Sequence, residues 1–268
     1  SRYAELSWDE IKELNEFVVR TVKSFGDEVT VIVADPLQCS TQVSMDFCRH
    51  AKSIGADLIS LIFREKYYND DQVVKHFEMC ASSSDIGVLV HEMPFISGKG
   101  GHTVNWPVLL LDRVANIETV IAIKEDAKED EYSKDVIACL KDRLAIVISG
   151  GGKRQWLRFA DQGCQAWLNG VGVFDPRLPV LFYAAYLRGE WAIVDDLIDT
   201  VEAPFFENIV KPYGWHLGIK AALEHVGIMK RTERMPMLAI PDREMKRVGV
   251  VMTEITRASD RWVRRALG

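Results

Sequence analysis

Lys124 closes the apolar run Val120–Lys124 and is followed at once by Glu125 and Asp126. An amine at the rim of an apolar interior is partly desolvated, which lowers its pKa and frees the lone pair as a nucleophile. Such an amine condenses with a ketone, and the resulting iminium is an electron sink for cleaving a C–C or C–O bond. A lysine that merely ends a strand and extends its ammonium to water occupies the same position, so position alone does not separate the two. His91 ends an earlier apolar run, Gly87–His91. An imidazole beside the lysine would move protons near neutral pH, whereas a hydrogen-bonded rim histidine would carry no such role. Glu125 and Asp126 read as substrate contacts or, more simply, as anions at the start of the next helix.

These residues need a scaffold that brings strand ends together. Val29–Ala34, Leu58–Phe63, Gly87–His91, Val120–Lys124, Leu144–Ser149 and Ala166–Gly170 are short runs rich in Val, Ile and Leu. Between them lie stretches of helical period: Trp8–Ser24, Thr41–Ile54, Asp70–Ser83, Trp106–Ala115, Lys128–Lys141 and Lys153–Gln162. Near-continuous apolar strands alternating with amphipathic helices, one unit every ~30 residues, mark a parallel sheet buried on both faces. A barrel or a doubly wound sheet fits that pattern. With a side-chain period of two, Val120, Ala122 and Lys124 share one strand face and Ile121 and Ile123 the other; Leu89 and His91 likewise share a face.

Six strands are countable where a (β/α)8 barrel has eight, and the chain opens on a helix signal, Ser7 with Glu10 three residues on. The expectation is an α/β chain, a (β/α)8 TIM barrel whose first two βα units are absent from this sequence. The barrel is assigned to residues 1–175 and a C-terminal helical region packed on it to residues 176–268. Within that region helices are expected over Pro176–Arg188, Trp191–Val210 and Trp215–Val226, punctuated by Gly189 and Gly227.

The 268 residues carry a formal charge of −6, which lacks the basic footprint of a nucleic-acid binder. The one dense cationic stretch, Arg257–Arg265, is short and contains Asp260, as a solvated helix end would. Five scattered cysteines without a C-x-x-C pair fit a reducing compartment, and no apolar run spans a membrane. The chain is therefore expected to be cytoplasmic. His91, Glu92 and His102 are too irregularly spaced for a convincing metal site, so no metal is expected. Ser149-Gly-Gly-Gly-Lys153 after the fifth countable strand suggests a backbone phosphate cradle or a tight strand-to-helix turn.

Taken in order, several segments resemble the dihydrodipicolinate synthase / N-acetylneuraminate lyase family. Gly55-Ala-Asp57 and Lys66-Tyr-Tyr-Asn69 resemble its GAD and PYYN elements, and Ile121-Ala-Ile-Lys-Glu125 its G-[IF]-K-[ED] strand. Ile148-Ser-Gly150, Gly163-Cys-Gln-Ala166 and Ile219-Lys-Ala-Ala-Leu223 resemble its [LI]-[ST]-G, GA-x-G and VKAAL. The resemblance implies a homotetramer or homodimer of (β/α)8 barrels with helical tails. Its chemistry is that of a 2-keto acid held through a lysine imine, with no cofactor, and the imine role falls on Lys124. The family's Y-N-x-P element reads His91-Glu-Met-Pro94 here, so His91 takes the place of the proton-shuttling tyrosine. Tyr68, with Tyr67 as the fallback, corresponds to the relay tyrosine supplied by an adjacent subunit. Ser149, Gly170 and Ile96 fall at substrate-binding positions.

Three departures shape the expectation. The family's G-x-[TS]-G-E loop would lie before Ser1. The arginine that dihydrodipicolinate synthases carry two residues after the proline is Ile96, which removes a charge-assisted partner for a second substrate carboxylate. Ser97–Asn105 adds glycine-rich sequence at the pocket mouth, a candidate specificity loop. The expected activity is a lyase releasing pyruvate from a 2-keto-3-deoxy sugar acid. A dehydratase of a related acid and a non-catalytic keto-acid binder are the alternatives.

Overall fold

The computed structural model describes residues 3–63, 66–67, 69–93, 98–99, 105–149 and 152–267. Among the described residues eight strands occur in chain order: β1 (Ile32–Ala34), β2 (Leu58–Leu61), β3 (Lys66–Tyr67), β4 (Gly87–Glu92), β5 (Gly98–Lys99), β6 (Val120–Glu125), β7 (Ala145–Ile148) and β8 (Ala166–Trp167). Six of them form one parallel sheet in the order β1-β2-β4-β6-β7-β8. Each strand of this sheet pairs with the next one along the chain. A doubly wound sheet reverses its strand order at a switch point; this one does not, as a barrel-type progression requires. The short β3 and β5 pair with each other in parallel, Lys66 with Gly98 and Tyr67 with Lys99.

The helices between these strands are α1 (Trp8–Lys23), α2 (Thr41–Ser53), α3 (Asp70–Ser83), α4 (Val108–Val114), α5 (Asp130–Leu140) and α6 (Gly152–Phe159). Ser7 and Glu10 close a reciprocal capping box on α1, and Asn69 and Gln72 do the same on α3. A cap of this kind is worth about 1 kcal/mol and fixes where the helix starts.

Burial explains why the strands are nearly all apolar. Leu58, Leu89 and Ala122, with Val147 against them, form a cluster on one face of the sheet. Ile59, Val90, Ile123, Ile146 and Ile148 alternate with them and are also buried. The β4–β6 register pairs Val88 with Val120 and then Leu89 with Ala122, so Ile121 is skipped. This irregularity leaves Ile121 exposed and resets the strict alternation expected from Val120 onward. From Ala122 the ladder runs unbroken: Ile123 with Val90, Lys124 with His91, Glu125 with Glu92.

The structure shortens some expected elements. The last strand stops at Trp167 rather than Gly170, and Val171–Val173 forms a 3-10 turn. Residues 2–168 make one compact unit and residues 169–268 another. The second unit contains helices Arg177–Leu187, Trp215–His225 and Asp242–Leu267. A helical run from Trp191 to Tyr213 passes the expected end at Val210 and includes two wide π-type segments, Ile198–Glu202 and Phe206–Val210. Pro204 and Pro212 follow these segments; each lacks an N–H and crowds the preceding turn, and the widened turns accommodate them. Gly189 and Gly227, at φ of 70° and 78°, adopt the left-handed conformation that ends the helices before them. Arg257, Arg261, Arg264 and Arg265 are exposed on the last helix, and Arg265 lies over the Trp262 ring.

Candidate active site

Lys124 and His91 are register partners near the C-terminal ends of β6 and β4. Their predecessors two residues back, Ala122 and Leu89, belong to the same apolar cluster, so the two side chains extend from one strand face. Lys124 Nζ lies 2.6 Å from His91 Nε2. At that distance one nitrogen must donate and the other accept, so the pair carries a single positive charge at most. Asp126 Oδ2 stands 3.7 Å from each of the two nitrogens. The three side chains are largely covered, with 17% of Lys124, 11% of Asp126 and 9% of His91 exposed.

Burial pulls the Lys124 amine below its ordinary pKa, and the adjacent Asp126 carboxylate opposes that fall only in part. Burial pushes Asp126 upward, yet the facing His91 imidazole and the charges of Lys124 and Lys128 outweigh it, leaving the carboxyl below its usual range. The site therefore combines an amine biased toward its nucleophilic form with a carboxylate held ionised.

On the opposite strand face, Glu92 and Glu125 form the next pair of the ladder. Both are buried, with exposures of 0% and 1%. Glu125 accepts from the Ala127 N–H and from the Ser133 hydroxyl, both at 2.5 Å, and Gln155 donates to that hydroxyl at 3.3 Å. Glu92 Oε1 accepts the Trp106 N–H at 3.2 Å, while its Oε2 has no hydrogen-bond partner among the described residues. Burial pushes Glu92 up to about 8, with the Glu125 and Asp126 charges adding to the effect. Burial likewise raises Glu125. Trp106 is itself locked between Phe63 and Phe77, and its carbonyl accepts from the Tyr132 hydroxyl at 2.7 Å. These contacts tie α5 and the segment before α4 to the strand ends that carry Lys124 and His91.

Residues 3–255 match the Dihydrodipicolinate synthetase family. The chain belongs to this family. It is 24% identical over 247 residues to the 4-hydroxy-tetrahydrodipicolinate synthase of Staphylococcus haemolyticus, covering 88% of this chain and 76% of that protein. The fold resembles that of the 4-hydroxy-tetrahydrodipicolinate synthase from Methylacidiphilum fumariolicum SolV, with a TM-score of 0.80 at 17% identity, over 97% of this chain and 83% of that one. It also resembles N-acetylneuraminate lyase from Mycoplasma synoviae, with a TM-score of 0.77 at 15% identity, over 94% and 81% of the two chains. The six-stranded parallel sheet thus belongs to a dihydrodipicolinate synthase-like, TIM-barrel type of fold.

The structure of this family member brings Lys124 and His91 together, two strands' ends apart in sequence but adjacent in the sheet. Ser149 follows β7, and its N–H donates to the Glu125 carbonyl at 2.9 Å, extending the β6–β7 ladder. Gly170 belongs to the unit of residues 169–268, beyond the strand in which it was expected. A Cβ there would meet the Trp215 ring at 1.8 Å, so this position needs glycine for close packing against the indole. Tyr68, Ile96, Pro94 and His102 lie outside the described residues, as do Gly150 and Gly151 of the glycine run. Lys153, which ends that run, is buried in the first turn of α6. Among the described residues no cluster of three His, Cys, Asp or Glu is arranged to hold a metal ion. No described helix is long and apolar enough to cross a membrane.

From sequence, Glu125 and Asp126 read either as substrate contacts or, by preference, as helix-start anions, and Glu92 only as a poor metal ligand. Neither Glu125 nor Asp126 caps α5: its N-cap is Glu129, without a side-chain cap. The signal for Asp126 was the same period of two that placed Lys124, because residues 124 and 126 fall on one side of an extended chain. The Glu pair follows from the same alternation, one residue beyond His91 and Lys124 and therefore on the other face.

Proposed function

We propose that this chain is a Schiff-base-forming lyase acting on a 2-keto acid, with Lys124 as the nucleophile and His91 as the proton shuttle. The observation that supports this most is the 2.6 Å contact between Lys124 Nζ and His91 Nε2 at the C-terminal ends of adjacent parallel strands. TIM-barrel enzymes assemble their chemistry at that end of the sheet. Membership in a family whose relatives include a 4-hydroxy-tetrahydrodipicolinate synthase, with a fold like that of an N-acetylneuraminate lyase, supports the same reading.

The neutral amine attacks the C2 carbonyl, and loss of water yields the iminium. With a 2-keto-3-deoxy sugar acid bound, His91 takes the proton from the C4 hydroxyl, the C3–C4 bond breaks, and its electron pair flows into the iminium. An aldehyde leaves, the enamine gains a proton at C3, and hydrolysis releases pyruvate and restores the amine. A dehydratase would share the iminium, lose a C3 proton to a base such as His91 to give the enamine, and expel the C4 hydroxyl as water with a proton returned by that acid, rather than break C3–C4. Ile96, in place of an arginine, disfavours an acceptor bearing a second carboxylate and so favours a sugar acid. Tyr68, donated by a neighbouring subunit of a homotetramer or homodimer, is the proposed second proton-relay group, with Ser149 at the substrate.

The test is a panel of 2-keto-3-deoxy sugar acids, with pyruvate release followed by coupled reduction to lactate. Pyruvate from at least one sugar acid, abolished by Lys124→Ala, supports the aldolase. A 2,5-dioxo product without pyruvate supports the dehydratase, and turnover undiminished in Lys124→Ala refutes the proposal.

A further inference from the structure

We propose that Asp126 is a positioning residue: the fixed counter-ion for one positive charge that begins on the Lys124–His91 pair and ends on the iminium nitrogen. The inference rests on the Lys124 imine proposed above and assigns a role to a side chain outside that reaction scheme. Its basis is geometric. One carboxylate oxygen is 3.7 Å from both nitrogens, and those nitrogens are 2.6 Å from each other. Two cations cannot share the latter distance, so the pair carries at most one positive charge, and the facing Asp126 carboxylate favours the state that carries it.

The charge balance follows the reaction. The reactive form is neutral Lys124 with protonated His91. The amine forms the N–C2 bond, and the carbonyl electron pair moves to oxygen. That oxygen leaves as water, carrying one proton from the nitrogen and one from the imidazolium. His91 is then neutral, and the nitrogen bears the positive charge as iminium. Net charge is conserved, and the cation moves between two atoms equidistant from Asp126 in this structure. A counter-ion so placed need not move as the charge does, which is how a preorganised site avoids reorganisation at the moment of reaction.

The other charged groups around Asp126 leave this role to it. From β4, Glu92 is pushed up to about 8 by burial and is uncharged at neutral pH. From β6, Glu125 is raised by burial and spends its oxygens on Ser133 and Ala127. Lys128, on the loop after β6, is positive and opposes a cation on Lys124. It holds a left-handed backbone, φ 65°, which is uncommon for a non-glycine residue and is the kind of strain found at functional sites. Asp126 is the carboxylate here that its neighbours keep ionised.

The experiment is borohydride trapping of the full chain with pyruvate across pH, in wild type, Asp126→Asn and Asp126→Glu, with thermal melts alongside. Asp126→Asn keeps size and hydrogen bonding but removes the charge. Its half-saturating pyruvate concentration should rise about tenfold, the order of one partly buried ion pair. The acid limb of its trapping profile should also move to lower pH, because the carboxylate no longer helps Lys124 hold its proton. A merely structural residue would weaken trapping without moving that limb. Asp126→Glu should recover most of the wild-type behaviour; this also decides the matter if Asp126→Asn traps nothing, and failure of Asp126→Glu to recover, at an unchanged melting temperature, overturns the proposal. Wild-type half-saturation and an unmoved acid limb in Asp126→Asn overturn it as well. No adduct in wild type refutes the imine itself, a distinct failure that removes the counter-ion role with it.

Discussion

Replacing Glu92 by glutamine should stabilise the protein, and by an amount that depends on pH. Glu92 is fully buried, one oxygen accepts the Trp106 N–H, and the other is without a hydrogen-bond partner among the described residues. Its pKa stands at about 8 against an ordinary 4.5. Below pH 4.5 the carboxyl is protonated in both folded and unfolded states and costs nothing. As the pH rises past 4.5, the unfolded chain releases a proton that the folded state retains, so stability falls. The slope is about 1.4 kcal/mol per pH unit, which amounts to about 3 kcal/mol by pH 7 and levels off near 5 kcal/mol above pH 8. Glutamine is always neutral and still offers Oε1 to Trp106. Glu92→Gln should therefore match the wild type near pH 4.5 and exceed it by about 3 kcal/mol at pH 7, roughly 6–12 °C in Tm for a chain of this size. Thermal melts at half-unit steps from pH 4.5 to 8.5 measure this directly. A difference between the two proteins that is constant with pH, or a Glu92→Gln protein less stable at pH 7, refutes the assignment of Glu92 as a carboxyl kept protonated by burial.

Two further outcomes are expected. His91→Phe should reduce turnover on any active sugar acid by about a hundredfold or more while changing the pyruvate concentration needed for trapping far less, because proton transfer rather than binding is lost; equal turnover would return His91 to a structural role. Gly170→Ala should destabilise the unit of residues 169–268 by on the order of 2 kcal/mol, since its methyl would enter the rigid Trp215 ring. Denaturation of that variant together with Trp215→Leu should show the cost largely relieved, and an additive loss would contradict the contact.

The order of helices and strands was legible because each βα unit must bury one helix face and both faces of a strand, and that demand is written as local periodicity. The Lys124–His91 juxtaposition was legible for the same reason, since alternation plus neighbouring parallel strands leaves little freedom. Ile121 was not. A skipped residue in a ladder depends on how β4 and β6 meet, which neither strand encodes by itself. The carboxylates were misjudged because Glu125-Asp126 before a helix has the composition of a cap, whereas tertiary packing draws Glu125 to Ser133 and Asp126 to His91. The helical run passes the expected end at Val210, where a π-type turn before Pro212 accommodates the proline as another does before Pro204.

Formation of an imine between Lys124 and a keto acid is captured by borohydride reduction in the presence of pyruvate. After reduction and digestion, the peptide carrying Lys124 should show the mass increment of the reduced pyruvate adduct, absent in Lys124→Ala of unchanged melting temperature. An adduct on another lysine, or none on folded protein at saturating pyruvate, would contradict it.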